Sequence, residues 1–185
     1  ILVSNLNGQD LKVFAKGLRN TVFFDFDKAG KMWGADMGRD KLGDKFPPDE
    51  INLIEEGKDY GWPYCYGDRI RDAKVIADQI FNCDQTESPK YELPAHSAPL
   101  GTIFDNQGNL IVSLHGSWNS TTPVGYKIVK LNVFADSIAG EEDFVTGFIQ
   151  GTNEILGRPA GLIYDEDGNL FIADDKSGLI YILTK

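Results

Sequence analysis

The densest chemistry in the chain lies between residues 35 and 63. It runs Ala35-Asp36-Met37-Gly38-Arg39-Asp40, then Pro47-Pro48-Asp49-Glu50-Ile51-Asn52-Leu53-Ile54, then Gly57-Lys58-Asp59-Tyr60-Gly61-Trp62-Pro63. Asp49 and Glu50 are adjacent carboxylates behind two prolines that restrict the backbone. Carboxylates on a rigid loop, with main-chain carbonyls nearby, suit a hard cation such as Ca²⁺, which takes about 6–8 oxygen ligands. The same residues also read as a capped helix start with solvated acids, and Ile51 to Ile54 as a short strand or a turn of helix. Just downstream stand Cys65 and Cys83, the only two cysteines and 18 positions apart. A disulfide is expected, and with it export to an oxidising compartment, periplasmic or secreted. Two buried free thiols are the alternative.

The elements that must position these residues follow from composition and repeats. The chain has 185 residues, 42% hydrophobic and 25% charged, which suits one globular domain with a real core. Its net charge of −10 disfavours nucleic acid, whose phosphates need clustered cations. Arg69 and Arg71 are flanked by Asp68 and Asp72, so they form no basic patch. No apolar run of about 18 residues occurs, so no membrane-spanning helix is expected. The chain starts at Ile1 without a Met, so either a leader has been removed or the segment belongs to something longer.

Three segments share one pattern of aromatic, Asp, two polar residues, Gly and an apolar run. They begin at Phe26-Asp27, Phe104-Asp105 and Tyr164-Asp165, with the glycine at Gly30, Gly108 and Gly168. The pattern predicts β-hairpins in which Gly takes a positive φ and Asp bonds back to the turn. A Gly/Pro-rich segment precedes each hairpin: Gly17-Leu18-Arg19-Asn20, Ser97-Ala98-Pro99-Leu100-Gly101, and Gly157-Arg158-Pro159-Ala160-Gly161. Repeated units of this kind predict an all-β propeller, with blades near 15–40, 95–134 and 157–185 and an inserted calcium and disulfide loop over 40–94. A β-sandwich is the alternative. Residues 1 to 13, with a turn at Asn7-Gly8, are expected to supply strands of a preceding blade. Three blades cannot close a ring of about 4–8. The chain is therefore expected to be part of a larger propeller, completed by further blades or by a second copy.

In combination the motifs resemble a known family. Gly17-Leu18-Arg19-Asn20 with its hairpin, Gly38-Arg39-Asp40, Pro47-Pro48-Asp49-Glu50-Ile51-Asn52-Leu53-Ile54, Tyr60-Gly61-Trp62-Pro63-Tyr64-Cys65, Ala95-His96-Ser97-Ala98-Pro99-Leu100-Gly101, His115-Gly116-Ser117-Trp118-Asn119 and Gly157-Arg158-Pro159-Ala160-Gly161 look like the soluble quinoprotein glucose/sorbosone dehydrogenases. Those are six-bladed propellers that use pyrroloquinoline quinone (PQQ) and Ca²⁺, and the resemblance runs from about Ala15 to Leu183, matching the family's C-terminal half. It implies that Arg19 is the active-site arginine against the quinone carbonyl that receives hydride, and that Asn20 binds the cofactor. It implies that Gly38 and Arg39 offer backbone carbonyls to the Ca²⁺ under PQQ, that Arg158 pairs with a PQQ carboxylate, and that Asp49, Glu50 and Tyr60 surround a second Ca²⁺. Thr21 and Ser120 depart from the family's usual proline and arginine. The family's catalytic histidine lies upstream of Arg19, so His96 and His115 are expected to be hydrogen-bonding residues at a blade rim. The implied reaction is oxidation of an aldose or sorbosone-like sugar to a lactone or acid, with a separate electron acceptor. A non-enzymatic binding propeller and a Ca²⁺-dependent lactonase-like propeller are the competing classes.

Overall fold

The computed structural model of the chain describes residues 1–76 and 81–184. Three antiparallel meanders carry it. The first sheet orders Thr21–Phe26, Met32–Asp36, Asp49–Ile54 and Tyr91–Leu93; the second orders Pro99–Phe104, Leu110–Leu114, Lys127–Phe134 and Ser137–Val145. The third has Pro159–Tyr164, Leu170–Asp174 and Leu179–Leu183. Short hairpins pair Leu2–Val3 with Lys12–Val13, Cys65–Tyr66 with Ile70–Arg71, and Ile149–Gln150 with Glu154–Ile155. No helix among the described residues is long and apolar enough to cross a membrane.

Each Asp-x-x-Gly segment forms the expected turn between the first two strands of its sheet. Gly30, Gly108 and Gly168 have φ of 78°, 94° and 78°, and their N–H groups donate to the carbonyls of Asp27, Asp105 and Asp165. The Asp27 carboxylate accepts from Ala29 N and Lys31 N at 2.9 Å, and that of Asp105 from Gln107 N and Asn109 N at 2.8 Å.

Residues 40–94 are less of an insertion than the repeat spacing suggests. Asp49–Ile54 and Tyr91–Leu93 are the third and fourth strands of the first sheet; a loop at 37–48 precedes Asp49–Ile54, and the connection between these two strands carries the Cys65–Tyr66 and Ile70–Arg71 hairpin. All six residues of Asp49–Ile54 are buried. A strand covered on both faces loses the alternation that marks a half-exposed one, which is why the sequence leaves it between strand and helix.

The core fills the gaps between sheets. Trp33, Ala35, Ile51, Leu53 and Leu93 pack against Leu110, Val112, Leu114, Val129 and Leu131. The opposite face of the second sheet, with Ile111 and Ile128, packs on Leu170, Ile172 and Phe148. The outward sides end in exposed apolar strands: Val22, Phe23, Phe24 and Phe26 on one, and all of Leu179–Leu183 on the other.

Buried carboxylates fasten each sheet's leading loop. Asp36 and Asp174 hold matching registers, opposite Thr21 and Pro159. Asp36 accepts from Arg19 N, Asn20 N and Thr21 Oγ1 at 3.0, 2.8 and 2.7 Å, and Asp174 accepts from Arg158 N at 2.9 Å. The second sheet has Leu114 in that register, opposite Pro99. Its clamp is Asp49 of the first sheet, which accepts from Ala98 N at 2.8 Å and Ser97 Oγ at 3.0 Å while also holding Gly38 N at 2.8 Å.

Cys65 and Cys83 form a disulfide, so thiol titration of the denatured, unreduced protein is expected to find no free thiol. In the chain-entropy model a bridge over this span contributes about 3 kcal/mol. Asp49→Ala is expected to lower the unfolding free energy by about 3 kcal/mol, because it strands buried donors from two loops. Urea unfolding monitored by circular dichroism, with the denaturant slope unchanged, checks this.

Candidate functional site

The loops clamped by Asp36, Asp49 and Asp174 lie at the end of the sheets away from the Asp-x-x-Gly turns, and the implied site residues gather there. Arg19 and Asn20 are fixed through their backbone by Asp36, which leaves their side chains outward. Arg19 is half-buried, with Nη1 donating to Met37 O at 3.0 Å. The exposed Asn20 amide makes only a 4.0 Å approach to Met37 Sδ. Burial raises the Asp36 carboxyl above its ordinary value, although the N–H groups of Arg19 and Asn20 and the Thr21 hydroxyl oppose this.

Behind Arg19, a cavity of about 20 Å³ is lined by Gly38, Arg39, Glu50, Tyr60 and Asp72. That volume admits one water or one bare ion. Gly38 and Arg39 lie at its edge, and neither carbonyl accepts a hydrogen bond among the described residues. A Cβ on Gly38 would come within 2.8 Å of Pro48 O, so the loop closes this tightly only with glycine. The Arg39 side chain turns inward instead, with Nε 2.5 Å from Asp72 Oδ2 and Nη2 3.0 Å from Oδ1. Burial pushes the Asp72 carboxyl up, but the hydrogen bonds from Arg39 and Lys74 N outweigh it and hold the group below its ordinary range.

Pairing across the first sheet brings together what the sequence keeps apart. Asp36 is opposite Glu50, and Glu50 is opposite Glu92, so three carboxylates form a row on one face. Glu50 is 8% exposed, accepting from Gly67 N at 2.6 Å and Asn52 Nδ2 at 3.1 Å. Burial raises it to about 7 despite these bonds, and the charges of Asp36 and Glu92 add to the shift. Beside it, Asn52 Oδ1 is buried with no hydrogen-bond partner. No sequence signal marks Asp36, Asn52 or Glu92 as neighbours of Glu50; only strand register does.

The remaining expected residues divide. The Asp49 oxygens are filled by the clamp just described, and burial raises that carboxyl to about 6 against the opposing hydrogen bonds. The Tyr60 hydroxyl donates to Leu53 O at 2.6 Å and accepts from Glu55 N at 3.0 Å, and burial pushes it up to about 12. Its carbonyl accepts no such bond and it lines the same cavity as Glu50. Arg158 sits at another junction. Its Nη atoms donate to Gly116 O at 2.7 Å and Ser117 O at 3.1 Å, and its guanidinium lies 5.0 Å from the centre of the Tyr126 ring. It therefore braces the third sheet against the second. His115 Nε2 lies 2.9 Å from both Asp175 oxygens, and His96 Nε2 2.8 Å from Gly43 O. Both histidines are hydrogen-bonding residues in loops at this end.

A family model described as TrAA12-like matches residues 6–185. The chain belongs to the TrAA12-like family. It is 37% identical over 193 residues to an uncharacterized protein of Borreliella burgdorferi, covering 98% of this chain and 51% of that protein. It is 34% identical over 120 residues to a pyrroloquinoline quinone-dependent pyranose dehydrogenase of Coprinopsis cinerea, covering 52% of this chain and 16% of that enzyme. The holo form of the Coprinopsis cinerea pyranose dehydrogenase PQQ domain superposes with a TM-score of 0.74 at 25% identity, over 96% of this chain and 56% of that one. The calcium structure of a Trichoderma reesei family AA12 carbohydrate-active enzyme gives 0.73 at 25% identity, over 91% and 52%. The architecture is that of a β-propeller, and the chain spans about half the length of the first of these relatives.

Two groups known in such relatives can be tested against these residues. The water-sized cavity is too small for a tricyclic quinone, so at this site PQQ would lie on the open surface over residues 37–39. There the free N–H groups of Arg19, the Asn20 amide and the bare carbonyls of Gly38 and Arg39 suit an anionic quinone with its cation. Beside Glu50, the unpartnered Asn52 Oδ1 and the free Tyr60 carbonyl are oxygens that suit a hard cation. Among the described residues, no three His, Cys, Asp or Glu side chains converge closely enough to hold a metal by themselves. Carbonyl oxygens must therefore contribute.

The raised carboxyls fix a pH dependence. Asp49 and Glu50 titrate higher in the folded state than their ordinary values of 3.8 and 4.5. Between those values and about 7 the native state holds protons that the unfolded chain releases, so stability falls as pH rises through this window and then levels. Asp72, held low, titrates below it. Urea midpoints of the metal-free protein from pH 4.5 to 8 should show this decline, and Glu50→Gln should remove its upper part.

Proposed function

We propose that the chain forms one side of the active site of a PQQ-dependent dehydrogenase that oxidises a pyranose or related sugar to its lactone or acid. The observation that carries this reading is the Asp36 clamp, which displays Arg19 and Asn20 beside the unpaired carbonyls of Gly38 and Arg39. PQQ, when bound, supplies the acceptor for the hydride leaving the sugar carbon. Arg19 and Asn20 would hold it, and the Gly38 and Arg39 carbonyls would face its Ca²⁺. The Arg19 guanidinium stabilises negative charge that develops next to it, and its backbone is fixed beforehand, so little reorganisation is needed. Glu50 and the Tyr60 carbonyl would hold a second Ca²⁺, with Asp49 fixing the Gly38 loop. Arg158 braces the neighbouring loop through its Nη atoms, and its Nε, which makes no hydrogen bond among the described residues, would face a cofactor carboxylate.

His96 and His115 are occupied by Gly43 O and Asp175. The sugar hydroxyl proton is assigned to a base on further blades, which would also cover the exposed strands Thr21–Phe26 and Leu179–Leu183; a second copy would cover those strands without adding a histidine of a new kind. A separate electron acceptor would be needed to carry the electrons away from the site. The disulfide supports an exported location.

Both the chain and the full-length protein should be assayed with PQQ, Ca²⁺, an aldose panel and an acceptor dye. The full-length protein is expected to turn over, while the chain alone stays below about 1 s⁻¹. Arg19→Ala in the full-length protein should lower kcat/KM about 10²–10³-fold without shifting the melting temperature. A PQQ titration yielding no reducible quinone chromophore in either protein would remove the dehydrogenase reading. Chelation should lower the melting temperature and Ca²⁺ should restore it by mass action; coincident melting curves would remove the metal.

A further inference from the structure

Trp118 is 71% exposed, against 0% for Trp33 and 46% for Trp62. It is not part of the exposed apolar strands at the two sides of the molecule. It sits in the loop between the Leu110–Leu114 and Lys127–Phe134 strands of the second sheet. A tryptophan is on average a well-buried residue, so a fully displayed indole needs a reason.

The loop beneath it is fixed on every side. His115 N donates to Ala98 O at 3.0 Å and Gly116 N to Ser97 O at 2.9 Å. Ser117 N donates to Val124 O at 2.9 Å, Val124 N to Ser117 Oγ at 3.1 Å, and Ser117 O accepts from Arg158 and from the Tyr126 hydroxyl. On the other flank Asn119 Nδ2 donates to Asp40 Oδ1 at 2.7 Å, and Thr121 bonds Asp44. A Cβ on Gly116 would stand 2.4 Å from the Tyr126 ring, so the loop has no room to shift inward. Trp118 is thus held between Arg158 of the third sheet and the 37–48 loop that carries Gly38 and Arg39. Its indole Nε1 makes no hydrogen bond among the described residues.

We infer that Trp118 is the stacking platform for the sugar ring at the mouth of this site. The inference rests on the sugar-oxidising reading above. A pyranose presents a C–H face that a flat apolar ring covers with dispersion contacts while releasing water. An indole with few rotatable bonds on a pre-fixed loop loses little entropy on binding, and its N–H stays available to a ring hydroxyl. The dense bonding of the loop then has a purpose: it holds one aromatic surface in place before the ligand arrives.

The test uses the full-length holoenzyme and a binding readout. Trp118→Ala should raise KM for the preferred sugar about tenfold with a smaller change in kcat, an unchanged quinone absorption and an unchanged melting temperature. Trp118→Phe should recover most of the loss. An unchanged KM in Trp118→Ala, or an equal loss in Ala and Phe variants, overturns the platform. In parallel, tryptophan fluorescence is titrated with glucose, galactose and mannose in the full-length protein and its Trp118→Phe variant. A saturable change lost in the variant supports the platform even where no dye reduction occurs, an outcome that removes the dehydrogenase reading alone. The same change in both proteins, or none in either, overturns the platform whatever the enzyme activity.

Discussion

The structure depends on a buried carboxylate at each sheet's leading edge that collects the N–H groups of the loop in front of it. A loop at the end of a strand has no ladder partners, and its backbone donors must be satisfied or left in water. Asp36 and Asp174 do this within their own sheets. In the second sheet Leu114 occupies that register, and Asp49 reaches across from the first sheet to do it. That exchange has a structural consequence. Where each sheet would otherwise fasten only itself, the Asp49 bridge ties the Gly38 loop of the first sheet to the Ser97-Ala98 loop of the second.

Burying these charges raises the energy of the ionised state, and the molecule answers it unevenly. Asp72 has a guanidinium on both oxygens and stays low. Glu50 has two neutral donors, faces Asp36 and Glu92 across the strands, and is pushed up. A row of carboxylates that no described residue ion-pairs, beside an amide oxygen without a donor, is stabilised by anything that brings positive charge or a proton. The contrast between these neighbouring acids separates a structural ion pair from a place where a ligand completes the electrostatics.

The loops show the same division of labour. Arg158, an arginine at a position expected to meet a cofactor, spends its Nη atoms on the carbonyls of Gly116 and Ser117 and its guanidinium face on Tyr126. Rigidity bought in this way is what lets Arg19, Asn20 and Trp118 point outward from loops that do not collapse. Preorganised groups on fixed supports are the requirement for a binding site that works in water.

Several features were legible in the residues themselves. The Asp-x-x-Gly turns at Asp27, Asp105 and Asp165 are local, because glycine's positive φ and the Asp side chain act within a few residues. The all-β character followed from them, and the motif order pointed to the family. The cysteine pair was open to two readings, and tertiary structure closed one by bringing Cys65 and Cys83 together. It also decided that Asp49–Ile54 is a central strand, since burial on both faces erases its periodicity. The row of Asp36, Glu50 and Glu92 exists only through cross-strand register, and the commitments of Asp49 and Arg158 only through contacts between sheets. Sequence determines what a residue can do within its own turn; which distant partner satisfies a buried charge is decided by packing, because that partner is brought near only when the chain folds.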